Sequence, residues 1–102
     1  MAISFKDSVE CYEVAPVIFD AIVIAHGVYR GMGKDDLTVT SLRDGEHMVG
    51  SLHYQGLAVD VRIWDFTTDE LPELCTQLRA ALGPNYDVVL HRSHIHIEYD
   101  PD

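Results

Sequence analysis

Basic residues are scarce in this 102-residue chain: seven Lys and Arg stand against seventeen Asp and Glu, a formal charge of −10. A protein that tracks phosphates needs a basic stripe, so no nucleic-acid partner is expected. The same balance disfavours an anionic membrane surface. Long apolar runs are also missing. The longest, Val14 to Val28, is interrupted by Asp20 and His26 and is too short to span a bilayer. The N-terminal stretch Met1-Ala2-Ile3-Ser4-Phe5-Lys6-Asp7 lacks a charged start followed by an apolar run, so no signal peptide is expected. The expectation is a soluble product, with no membrane partner, that starts in a cytoplasm. Cysteine is limited to Cys11 and Cys75, at no metal or redox spacing. Two buried thiols are expected, with a disulfide left open.

Apolar residues make up 47% of the chain, against four prolines and seven glycines, a globular composition. The length allows one domain, residues 1–102, with no repeat, low-complexity tract or linker. A domain of this size buries only about two-thirds of its unfolded surface, so a bound metal would add useful stability. The acidity would draw cations toward the fold.

Hydrophobic spacing predicts the elements. Residues 1–14 read as an irregular lead-in or a short edge strand. Pro16 suits a first helical position, and Val17, Ile18, Ala21, Ile22, Ala25, Val28 and Tyr29 follow at helical spacing. Val23 and Ile24 widen the stripe, so burial on most sides is expected, and Gly31 and Gly33 stop the helix. Leu37 to Ser41 alternates like a half-buried strand, and Leu42 leads into a polar loop from Arg43 to His47. Residues 57–63 form the clearest strand, with Leu57, Val59, Val61 and Ile63 on one face and Ala58, Asp60 and Arg62 on the other. Thr68 is read as the cap of a second helix with Leu71, Leu74, Cys75, Leu78 and Leu82 inward, ended by Gly83-Pro84.

Two further strands, Tyr86 to Leu90 and His94 to Tyr99, would be joined by an Arg92-Ser93 turn that sets His91 opposite His94. His91, His94, His96 and Glu98 would then share one face. Tyr86, Val88, Leu90, Ile95, Ile97 and Tyr99 would cover the core. The sum is an α+β domain, an antiparallel-rich sheet backed by two helices.

The candidate chemistry lies in Ser51 to Asp60 and in His94-Ile95-His96. A histidine, a carboxylate and a second histidine give three N/O ligands, the count of a catalytic zinc that keeps its fourth position open. For His53 and Asp60 alone, the plain reading is a loop histidine and an exposed strand aspartate. His94 and His96 alternate on a strand, which presents both imidazoles on one face; the plain reading there is a solvated polar face. His26, on an apolar helix, reads as a satisfied core or boundary histidine. His47 is a candidate for a substrate contact or an alternative ligand, and Tyr54 and Gln55 for a substrate contact. Trp64 and Phe66, after the strand, are read as core by default, with a pocket wall as the alternative.

Ser51 to Asp60 resembles the S-x-H-x-x-G-x-A-x-D motif of zinc D-alanyl-D-alanine carboxypeptidases and dipeptidases, and of related phage endolysins. Together with His94-Ile95-His96 it is especially similar to hedgehog signalling domains, which share that fold. The resemblance covers about residues 37 to 99, and the size is similar to that of single-domain forms in tailed phages and prophages. It implies a hedgehog/DD-peptidase-like fold with Zn2+ held by His53, Asp60 and His96, His94 beside the open coordination site, and Arg43 binding a substrate carboxylate or carbonyl. It also implies a zinc-dependent peptidase that hydrolyses D-amino-acid-containing peptides of bacterial peptidoglycan. An endolysin or virion-associated setting would bring it to the wall.

The chain departs from the resemblance at the proton acceptor. The peptidases carry Asp or Glu three residues before the last ligand, where this chain has Ser93, and many small relatives resemble Glu-x-x-His-x-His, where it has His91. His91 and His94 are then equal candidates for the base, since imidazole titrates near neutrality. Glu98 ranks third and is read as anchoring a histidine from behind. The departure keeps an alternative in play: a catalytically inactive zinc-binding interaction or structural module on the same fold.

Overall fold

Among the described residues, five strands and two helices form where the periodicities change. They were established in a computed structural model that describes residues 2–9, 11, 14–42 and 56–101. In chain order they are β1 (Ile3–Phe5), α1 (Pro16–Gly31), β2 (Leu37–Ser41), β3 (Ala58–Arg62), α2 (Leu71–Leu82), β4 (Tyr86–Leu90) and β5 (His94–Tyr99). A short 3-10 turn, Thr68–Glu70, leads into α2. The strands make one mixed sheet in the order β1-β2-β3-β5-β4. β1 runs parallel to β2, and the other pairings are antiparallel. The α+β architecture expected from the sequence is therefore present. The lead-in supplies a short edge strand.

Both helices cover one face of the sheet. Ile18, Ala21, Ile22, Ala25 and Tyr29 of α1 and Leu74, Cys75, Leu78 and Leu82 of α2 meet Leu37, Val39, Val59, Val61, Val88, Ile95 and Ile97 in one core. The strand parity is the one read from the sequence: odd positions of β3 and β5 face the helices. Polar atoms of large core residues are satisfied at its rim. Tyr29 donates its hydroxyl to the Arg62 carbonyl (2.8 Å) and Tyr86 donates to the Val17 carbonyl (2.8 Å). Burial drives the Tyr29 phenol well above its ordinary range, with Asp65 adding to the shift. No helix among the described residues is long and apolar enough to cross a membrane.

Several expectations are corrected. Helix α1 is not buried on most sides: Val23 is 62% exposed and Phe19 is exposed too, because two helices on one sheet leave the outer flank of each in water. The cap of the second helical segment is Thr67, not Thr68. Thr67 donates its backbone N–H to Glu70 Oε1 (2.8 Å) in a capping box, and the same hydrogen bond holds the Glu70 carboxyl below its usual range. Cys75 is buried but Cys11 is exposed, and both thiols are free. Phe66 joins the core, set edge-on to Tyr29 at 4.8 Å, whereas Trp64 lies outside it. Leu90 shares the core parity but is 41% exposed, since the strand ends at the sheet's outer edge beyond the helices.

One irregularity bears on function. Val39 pairs with Val61, but the next pair is Ser41 with Asp60, so β2 spends one extra residue there. Such a bulge shifts the inward–outward alternation by one. Leu42 is in consequence fully buried in the core while Ser41 is not. The bulge lies against Asp60, and Thr40 donates its hydroxyl to the Asp60 carbonyl at 3.4 Å.

Candidate functional site

Asp60 and His96 are directly opposed on β3 and β5, on the face away from the helices. The loop entering β3 turns at Gly56, whose φ of 72° is a left-handed conformation that glycine adopts without strain. The Gly56 carbonyl accepts from the Ala15 N–H (2.9 Å), which ties the start of this strand to the start of α1. Asp60 faces away from the core, yet it is only 7% exposed, so it is not the solvated strand aspartate of the plain reading.

His96 sits between two carboxylates. Its Nδ1 is 3.0 Å from Asp60 Oδ1 and its Nε2 is 2.8 Å from Glu98 Oε1. A neutral imidazole has one N–H and one lone pair. With an acidic oxygen at each nitrogen, one of the two contacts would set a lone pair against an anion. The conflict ends when the ring binds a second proton, or when a cation replaces the proton between Nδ1 and Asp60. The first outcome is favoured by the ring's surroundings. The hydrogen bond to Asp60 raises the His96 pKa, burial opposes the rise, and Glu98 adds to it.

The second outcome fits the donor set. Two ligands at about 2.0–2.2 Å from a tetrahedral ion stand about 3.3 Å apart. The Asp60–His96 separation is within a few tenths of an ångström of that. Glu98, held to the far nitrogen, is placed like the carboxylates that orient metal-binding histidines, the role read for it from sequence.

Two other histidines line the same corner. His94 Nε2 is 3.6 Å from Asp60 Oδ2, and His94 is half-buried. The His91 N–H donates to the His94 carbonyl (2.9 Å), as the two-residue turn required. Their rings stack with centroids 4.8 Å apart, and His91 stands edge-on to His96 at 6.2 Å. His91 is exposed, as is Ser93, whose Oγ lies 3.3 Å from His94 Nδ1. His91, His94, His96 and Glu98 therefore share one face, as predicted. Away from this corner, His26 Nε2 donates to the Asp35 carbonyl (2.7 Å) at the boundary of α1, the satisfied role expected of it.

Arg43, His47, His53, Tyr54 and Gln55 lie outside the described residues. Of the expected ligand set, Asp60 and His96 are thus brought together here.

Sequence reasoning missed an acidic group beside the site. Asp87, Glu98 and Asp100 bring carboxylate oxygens within 4.8 Å of one another, a triad that could hold a metal ion. The signal for it was the pairing of Asp87 with Glu98 across the β4–β5 hairpin. Asp87 and Asp100 are exposed, where water offsets their repulsion. Glu98 is shared between this triad and His96.

No protein-family model matches the chain, and no curated protein matches it.

Proposed function

We propose that this chain is a zinc-dependent peptidase of the hedgehog/DD-peptidase-like fold that hydrolyses short D-amino-acid-containing peptides, such as the stem of bacterial peptidoglycan. The observation that carries the reading is the doubly acidic setting of His96, whose Asp60-facing nitrogen can take either a second proton or a metal cation. Asp60 and His96, with His53, would hold the ion. Bound there, zinc would polarise the scissile carbonyl and lower the pKa of its water to about 7.

The chain's own residues supply the rest. Glu98 accepts from His96 Nε2 and so fixes the ring with Nδ1 toward Asp60. His94, whose Nε2 lies 3.6 Å from Asp60 Oδ2, would take a proton from attacking water and return it to the leaving amine. His91, stacked on His94 and open to solvent, is the other candidate for that proton. Arg43 would orient the substrate through a carboxylate or carbonyl. An endolysin or virion-associated setting follows from the resemblance to phage enzymes.

The experiment is incubation of zinc-loaded protein with purified peptidoglycan and with synthetic stem peptides, products being read by mass spectrometry. Cleavage by the wild type and none by His96→Ala is the expected result. His91→Ala should keep its zinc but turn over slowly if His91 is the acceptor, and His91→Glu should match or exceed the wild type. An unchanged rate in His91→Ala leaves the role to His94. A second reading has a specific observation behind it: positions 91 and 93 hold His and Ser, with no carboxylate at either. Zinc retained with no cleavage of any such substrate would identify a non-catalytic zinc-binding interaction or structural module.

A further inference from the structure

The Asp60–His96 corner has a cation beside it that the proposed chemistry leaves unused. Arg62 is the next residue on the same face of β3 and is directly opposed to His94, which sets their Cβ atoms about 5 Å apart. Its guanidinium carbon stands 3.8 Å from the centroid of the Trp64 ring. In a chain of formal charge −10, Arg62 forms no ion pair with an acidic side chain among the described residues. Its Nε is shut off from solvent and donates to no acceptor there. Trp64, the one tryptophan of the chain, is 70% exposed. An indole held in water by a stacked guanidinium contributes little to the core.

The pair has the form of a recognition element. Stacking on the indole pins the guanidinium plane, and a pinned planar fork matches a carboxylate bidentately. Beside it the indole offers a flat apolar wall. Charge selects the ligand group: Asp60 and Glu98 repel an anion, so an acidic end is held only at the Arg62 side of the corner. The apolar wall favours a carboxylate carried on a small apolar residue over a bare inorganic anion.

We infer that Arg62 and Trp64 form a subsite for the C-terminal carboxylate of a short peptide lying across the Asp60–His96 corner. The placement of the peptide rests on the peptidase reading; the carboxylate chemistry of the stack does not.

The single tryptophan makes the subsite directly observable. Its fluorescence is titrated with N-acetyl-D-alanyl-D-alanine and with the C-terminal amide of that peptide, on chelator-treated and on zinc-loaded protein. The free acid should bind about tenfold or more tighter than the amide, the scale of a charge-assisted pair. Arg62→Gln should bring the ratio to within about twofold, and Arg62→Lys, which keeps the charge but not the fork, should lose most of it. Circular dichroism confirms that each variant is folded. Equal binding of acid and amide by the wild type, no response to either, or an acid preference that survives in Arg62→Gln overturns the subsite. The two readings fail separately. Zinc-dependent cleavage without acid preference removes the subsite alone, whereas an Arg62-dependent preference in a protein that binds no zinc removes the peptidase alone.

Discussion

The two faces of β3 and β5 present opposite chemistry within a few residues. Toward the helices, Val59, Val61, Ile95 and Ile97 are fully buried and contact other apolar groups. Away from them, Asp60, His94, His96 and Glu98 crowd charge into a half-covered corner. The first face is stabilised by area removed from water, which depends little on pH or metal. The second depends on which cation, a proton or a metal ion, neutralises its carboxylates. The fold is thus expected to be robust on one side of a sheet and conditional on the other.

The largest effect should come from the apolar face. Ile97→Ala removes a fully buried side chain opposite Val59 and is expected to cost about 2–5 kcal/mol, measured by urea denaturation, with or without zinc. A loss that disappears when zinc is added would mean that the two faces are not independent. On the polar face, Glu98→Ala should weaken zinc binding by about 10–100-fold, read by competition with a chromophoric chelator. An unaltered affinity would confine Glu98 to the acidic triad.

The pH response should separate the two cations of the polar face, proton and zinc, by sign. The folded His96 pKa lies above its unfolded value near 6.5. Its stabilisation is therefore complete below that value and is lost as pH rises through the folded one. The melting temperature of metal-free protein should fall over that window, and His96→Gln should flatten the fall. Zinc must displace the ring proton, so the zinc-dependent gain in melting temperature should grow over the same window. Parallel curves with and without zinc would remove His96 from the metal site.

Much of this division was legible in the sequence, because alternation has a period of two and each strand announced its two faces. The pairing of His91 with His94 followed from the length of one turn. What escaped depended on partners distant in the chain. The bulge that buries Leu42 arises from a register mismatch between β2 and β3, and no single strand encodes it. Asp60 looked exposed because alternation tells which way a side chain points, not what covers it. Trp64 was read as core by default, as a large aromatic, and its place on Arg62 required the folded strand end. The identity of the proton acceptor was ambiguous in sequence, since both candidate histidines share one face.

The central claim is tested most directly by zinc titration of metal-stripped protein. One equivalent per chain is expected, lost in Asp60→Ala and in His96→Ala and retained when Asp87 and Asp100 are both changed to Asn. Stoichiometric zinc that survives the loss of His96, or no zinc uptake at all, would contradict it.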